Sequence, residues 1–555
     1  MKNKFSLSFA LLCVCALAVL IPVLPATAYD VLFWSKPADD TTRSWDTAGA
    51  WKQVNVPNAF VNRVPNNEDT LMLNSSAIAL AGNGITESCS LRITNGVEAV
   101  ANRVYIASTA ANEDSSYAKS GRVIGMKIEK GGSLSAYEVS VGYSAAGYGV
   151  LNLDGGTLKP SHDLFVGYEG IGVLTNRNGT IQVTGGCQGI NIAEQAGSKG
   201  TYVMMGESAS IGNPENQNLF VGKYGEGRAE IYSNITIPYL KIGGSTALSS
   251  CYVAHSTTTT VVTKAVSVGG YAFVELDKEG NVKETYRIPG RGELVLSNAV
   301  LSACMALSTT NFWIGRYDGA FGVLRGCGAV QGKNWNDNSL RIGFGNGQVI
   351  GDGFGKQADL DMNTVVAFQV ANANPDDGTN GIYAVNKGAV KFPRVWFSTV
   401  DASGSIGDVP KGSPSLVNCV GYSIRGLQGA NSVSVLRGGL YAADRTDVHV
   451  DALPPCGSIV GIWRLGLFTD ITGFTPKGYQ NIDLTFRYDH TKVKQGQKLM
   501  LYCWNGAKWM RVASKSAATN PRIVCEGITP QTVEGYNIGL FALVTRRDGM
   551  KIIVR

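Results

Sequence analysis

Between residues 141 and 243 apolar and polar positions alternate in short bursts, and the bursts resemble one another. They read VGYSAAGYGVLNLDGGTL, LFVGYEGIGVLTNRNGTIQVTGG, INIAEQAGSKGTYVMMGESASIG, LFVGKYGEGRAEIYSN and YLKIGG. Alternation such as Val150-Leu151-Asn152-Leu153 or Thr180-Ile181-Gln182-Val183 sends every second side chain to one face, the signal of a strand with one buried side. Gly155-Gly156 and Gly185-Gly186 follow where the chain must turn.

An apolar residue followed by Gly or Ala anchors each unit. The anchors are Ile106-Ala107, Val141-Gly142, Val166-Gly167, Ile192-Ala193, Val221-Gly222, Ile242-Gly243, Val268-Gly269, Ile314-Gly315 and Ile342-Gly343. From Val141 onward the spacings are 25, 26, 29, 21, 26, 46 and 28, and the 46 predicts two periods with one degenerate anchor. A unit of about 25 residues suits one coil of a three-sided parallel β-helix, whereas propeller blades run to ~40. A β-sandwich is the competing all-β fold. About ten coils at ~4.8 Å make a rod roughly 50 Å long. No Trp stands between Trp51 and Trp313, which predicts an interior of small aliphatic side chains.

The pattern divides the chain. Residues 1–28 carry Lys2 and Lys4, an apolar stretch and Ala26-Thr27-Ala28, which predicts a secretory signal peptide cleaved after Ala28. Residues 29–100 are expected to cap the first coil, with Trp45, Gly49 and Trp51 as a lid; a sugar-stacking platform on the two Trp is the alternative. Residues 101–362 are the expected solenoid, and the stretch DKEGNVKETYRIPGR at 277–291 reads as an inserted hairpin or loop. Residues 363–459 read as connecting meander strands. Residues 460–555 alternate at Ile482, Leu484, Phe486 and Tyr488 and turn at Asn505-Gly506, which predicts a small antiparallel β-sandwich. No later stretch reaches the ~20 apolar residues of a membrane helix.

The pattern W-x-x-x-G-x-W at Trp45 to Trp51, then P-x-x-x-D-x-x-x-L at Pro65 to Leu73, ahead of Gly-rich repeats, resembles the start of secreted bacterial autotransporter-associated repeat proteins. That resemblance implies a right-handed β-solenoid with an adhesin-like role. The chain departs from autotransporters in its C-terminal part, which is too short for a membrane barrel, so self-translocation is not implied.

Composition adds to this picture. Charged residues are 17% of the chain and glycines number 68, as suits an extracellular all-β protein rich in turns. Residues 461–555 hold 14 Lys and Arg against 6 Asp and Glu, while residues 29–460 hold 33 against 37. A basic end on a mildly acidic body points to an anionic partner such as a cell-surface or extracellular polysaccharide. A nucleic-acid partner is not expected. After cleavage the cysteines are Cys89, Cys187, Cys251, Cys304, Cys327, Cys419, Cys456, Cys503 and Cys525, an odd number without metal-ligand spacing. Cys503 with Cys525 and Cys304 with Cys327 are the conceivable bridges.

Candidate chemistry is sparse. His162, His255, His449 and His490 are isolated, and His162 beside Asp163 reads as a turn residue. The acidic doublets Asp39-Asp40 and Asp376-Asp377 sit in turn-like contexts, and Asp318 and Asp337 are weak calcium candidates. No catalytic, cofactor-binding or metal residue is therefore assigned, and no cofactor is expected. The expected function is an adhesive or structural secreted solenoid. A polysaccharide lyase or glycosidase, or a non-catalytic carbohydrate binder, is the alternative. Any site is expected in the stretch around 277–291 or in the C-terminal module.

Overall fold

The computed structural model describes residues 91–108, 123–183, 189–212, 218–276, 282–303, 312–332, 339–342, 345–362, 367–370, 381–392, 395–397, 418, 420–424, 434–469, 482–516, 521–529 and 538–546, with short strands at 31–34, 43–44, 51–53, 60–61 and 70–73. The leader at 1–28, Trp45 and both acidic doublets lie outside the described residues. The fold is all-β. Most strands join one long sheet, and most of its pairings are parallel.

Three parallel ladders run along the molecule, an arrangement compatible with a β-solenoid. In the first, one residue per coil stands in direct register with the next. The file runs Leu32, Leu71, Val104, Val139, Leu164, Ile190, Leu219, Leu240, Val266, Phe312, Leu340, Phe368, Val395. From Leu71 to Leu340 every member is buried. Each such side chain withdrawn from water contributes about 1.5–3 kcal/mol. Thirteen strands at ~4.8 Å make this ladder roughly 58 Å long.

The corner after the first ladder explains the anchor pairs. Gly142 sits at φ +68 and a Cβ there would lie 2.2 Å from Ile171 O of the next coil. Ala107 at φ 62 and Ala193 at φ 57 hold the same left-handed conformation despite their Cβ. The corner demands positive φ, and Gly or Ala is what fits beneath the following coil. The chain then forms the second ladder, exemplified by Tyr148–Asp154 on Ile171–Arg177. The third ladder follows, and it bends straight back into the first. Thr157–Val166 serves both, its register shifting between Pro160 and Asp163.

Four expectations change. The spacing of 46 is one coil, because Val268 pairs directly with Ile314. The surplus includes an antiparallel hairpin, Tyr271–Leu276 with Val282–Ile288, forming a sheet of its own. The parallel coils also run past 362. Ala367–Val370, Gly381–Val385, Gly388–Phe392 and Val395–Phe397 all pair parallel with preceding strands. At the other end, Val31–Trp34 and Thr70–Leu73 already belong to the first ladder. Trp51 lies there in an antiparallel trio with Val31–Trp34 and Phe60–Val61. Finally, the interior is not purely aliphatic. Tyr202 and Tyr252 are fully buried in the second ladder, in register on either side of Ala229. The small residue makes room for two rings.

Past the coils the pairing reverses. Gly388–Phe392, in the third ladder, meets Ser434–Tyr441 antiparallel, with Val390 opposite Leu440. Antiparallel strands continue through Ile459–Thr469, Gly539–Thr545, Leu499–Trp504 and Trp509–Val512. A separate antiparallel sheet holds Val420–Ile424, Ile482–Arg487, Arg522–Ile528 and Lys515–Ser516. Its Phe486 lies 5.1 Å from the ring of Trp463 and 5.3 Å from that of Phe541 in the first sheet. Antiparallel pairing thus begins before residue 460, the boundary expected from alternation. Among the described residues, no helix is long and apolar enough to cross a membrane.

Candidate functional site

Strand alternation in the first ladder puts two apolar residues of each coil inward and the residue between them outward. The outward row reads Tyr105, Ser140, Phe165, Asn191, Phe220, Lys241, Ser267, Trp313, Arg341, each in register with the next. An outward row is normally wet, yet Tyr105, Ser140, Phe165, Asn191, Phe220 and Ser267 are buried.

A second row packs beside the first. It consists of the residue after each corner from Val141-Gly142 to Ile314-Gly315: Tyr143, Tyr168, Glu194, Lys223, Gly244, Gly270 and Arg316. Tyr143 stacks on Tyr105 at 4.0 Å, and Tyr168 stacks on Tyr143 at 5.3 Å with planes 6° apart. Tyr168 also meets Phe165 edge-on at 5.1 Å. The stacked rings cover one another's faces; Tyr105 is buried, and Tyr143 and Tyr168 are half-exposed. Burial pushes the Tyr105 hydroxyl up to about 12 and raises those of Tyr143 and Tyr168, so all three stay neutral donors at physiological pH.

Charge changes along the row. On the N-terminal side stand Glu138, Asp163, Glu169 and Glu194. Lys223 Nζ reaches Glu194 Oε1 at 2.7 Å, and burial still holds the Glu194 carboxyl above its ordinary range. Asn191 is fully buried with neither side-chain amide atom hydrogen-bonded, and Glu194 Oε2 also lacks a partner. Toward the C-terminal side the row turns basic and aromatic. Lys241 Nζ stands 4.6 Å from the Phe220 ring, 5.3 Å from Tyr239 and 5.6 Å from Tyr271. Lys264 lies over Tyr239, and Arg316 and Arg341 both lie over Trp313. Chains of cations over ring faces are favourable contacts that keep long side chains in place.

The residues singled out on the sequence fall elsewhere. His162 lies at the bend between ladders, 2.8 Å from Asp163 and stacked on Tyr137. His255 pairs with Glu230, which also binds Arg228. His449 stacks on Trp504, and His490 opens a short 3-10 turn. Asp318 is exposed, and no group of His, Cys, Asp and Glu among the described residues could hold a metal ion. Cys327, Cys503 and Cys525 are free thiols, so neither conceivable bridge forms. Cys503 and Cys525 stand on strands of different sheets. The inserted hairpin contributes through its root: Tyr271 packs against Phe220 and donates its hydroxyl to Lys223 O at 3.3 Å.

The outward row was missed on the sequence, although a signal exists. Aligning LFVGY, INIAE, LFVGK, LKIGG, VSVGG and FWIGR on their anchors brings its members into one column and the covering row into another. Comparison of the chain with protein-family models, curated proteins and solved structures finds no match.

Proposed function

We propose that the protein is a secreted, surface-associated adhesive β-solenoid that binds an extracellular polysaccharide along the outward rows of its first ladder. In this proposal the coils are right-handed, as in the autotransporter-associated repeat proteins its N-terminal motifs resemble. The two C-terminal sheets form a β-sandwich closed around Trp463, Phe486 and Phe541.

The observation that carries the binding reading is the half-exposed Tyr143–Tyr168 stack, its rings repeated at a one-coil interval, continued by the Lys241–Arg341 stretch. A one-dimensional array of hydrogen-bonding groups suits a one-dimensional repeating ligand, and tyrosine combines apolar area with a polar tip. Polysaccharide binding by the full chain, measured by calorimetry and glycan array, tests this. Y143F/Y168F keeps the ring stack and removes both hydroxyls; at about 1 kcal/mol per hydrogen bond it should weaken binding about tenfold or more. Unchanged affinity, or no polysaccharide bound at all, overturns the proposal.

A further inference from the structure

We infer that Lys241 is the centre of a receptor for an anionic group, a carboxylate or a sulfate, carried by the polysaccharide that lies along the row. The inference rests on the binding proposal above and narrows it to acidic polymers.

Lys241 faces outward between Phe220 and Ser267 and is half-buried. Rings surround its ammonium, and no carboxylate pairs with it among the described residues. The charges that act on it are cations, Lys223 and Arg316. A half-buried ammonium among rings and without a counter-charge is costly, and a protein keeps one where something else supplies the charge. Burial, and then those two neighbours, push its amine down to about 8.

The covering row carries no side chain at this place. Tyr143, Tyr168, Glu194 and Lys223 supply side chains beside the outward row, and Arg316 resumes it, but Gly244 and Gly270 stand opposite Lys241 and Ser267. A Cβ on Gly244 would lie 1.9 Å from Lys223 O, so residue 244 itself can carry no side chain, and the nearest side chain there is the Tyr271 ring. The interruption is flanked by Lys223 on one side and by Arg316 and Arg341 on the other, the last two over the Trp313 ring at 5.1 Å each. The indole Nε1 of Trp313 is buried without a hydrogen-bond partner, one coil beyond Ser267. A cation, a neighbouring indole donor and flanking guanidiniums present only donors, the complement of an oxyanion.

The test uses the full chain with three polymers: polygalacturonate for carboxylate, dextran sulfate for sulfate, and dextran as the neutral control. One charge-assisted contact predicts that an acidic polymer binds at least about tenfold tighter than dextran. K241M should lower acidic-polymer affinity to the level of dextran, abolishing that preference, and R316Q should reduce it. The bound acidic polymer should also protect Lys241 from acetylation, read by peptide mass mapping, which reports on the site without any variant. Whichever acidic polymer shows the preference identifies the group. Equal affinity for all three polymers, wild-type preference in K241M, or unprotected Lys241 overturns the inference while the binding proposal stands. Failure of every polymer to bind overturns both.

Discussion

Lys223 Nζ lies 2.7 Å from Glu194 Oε1, joining two successive coils through side chains only 10% and 9% exposed. Breaking a buried pair from one side leaves an uncompensated charge, at a cost of about 3–5 kcal/mol. E194Q should therefore lower unfolding stability by about 2–4 kcal/mol. E194L/K223M should recover most of that loss, since apolar replacements of buried pairs are nearly neutral. Urea melts of the three chains check both expectations.

Lys241 gives the fold a pH dependence of definite sign. Its amine sits at about 8 in the folded chain against an ordinary 10.5, so the folded state holds fewer protons between those values. Stability then rises as pH climbs from about 8 to 10.5, and the strain is fully present below 8. K241M should remove that slope and stabilise the chain at pH 7 by about 1–3 kcal/mol. A wild-type slope in K241M contradicts this.

Tyr202, Ala229 and Tyr252 form a large-small-large sequence inside the second ladder. The Tyr252 hydroxyl pairs with Thr260 Oγ1 at 2.8 Å, and both residues are fully buried. Y252F strands the threonine hydroxyl and should cost about 1–2 kcal/mol. A229L has no space between the rings and should cost about 1–3 kcal/mol. Thermal melts rank the two against wild type.

How far the sequence speaks depends on which residues carry the signal. The anchor pairs were legible because one corner, with positive φ beneath the next coil, forces Gly or Ala at the same place each time. Insertions hide from that logic. The spacing of 46 looks like two periods unless the pairing of Val268 with Ile314 is known. Beyond 362 the inward file Leu340, Phe368, Val395 persists, but the polar run 372–380 and Ser398 after Phe397 interrupt the phrase that marked earlier coils. Tyr202 and Tyr252 escaped because tyrosine at an alternating position fits either face; only Ala229 between them decides it. The outward and covering rows were missed for another reason: spacings of 21 to 46 scatter along the chain the residues that register brings together.

Arg445 fastens the reversing strands to the coils. Its guanidinium holds both oxygens of Asp447, at 2.9 and 2.7 Å, and also Asp359 of the strand Ala358–Asp361. Arg445 itself is 5% exposed. Its hydrogen bonds hold the Asp447 carboxyl below the ordinary 3.8, so this stability is present above that value and fades as pH falls below about 4. R445M leaves Asp447 without its cation, while Asp359 keeps Lys391, and should cost about 2–3 kcal/mol. Limited proteolysis should then cut the 434–469 region first, whereas unchanged proteolysis would show that Arg445 does not fasten it.

The thiols of Cys503 and Cys525 are pushed up to about 11 and about 12 by burial. The native chain should leave both unmodified by iodoacetamide at pH 8, and unfolding should expose both. A bridged peptide in non-reducing mass mapping would contradict the free-thiol state.

Parallel stacks carry an inherent hazard: the last rung of a ladder is a row of open amides and carbonyls onto which another molecule can polymerise. The pairing of Val390 with Leu440 answers this for the third ladder. By reversing direction at that rung, the chain occupies the growing edge with its own strand. That ladder is therefore terminated from within, so its length is set by the gene and end-to-end filament growth has no template there.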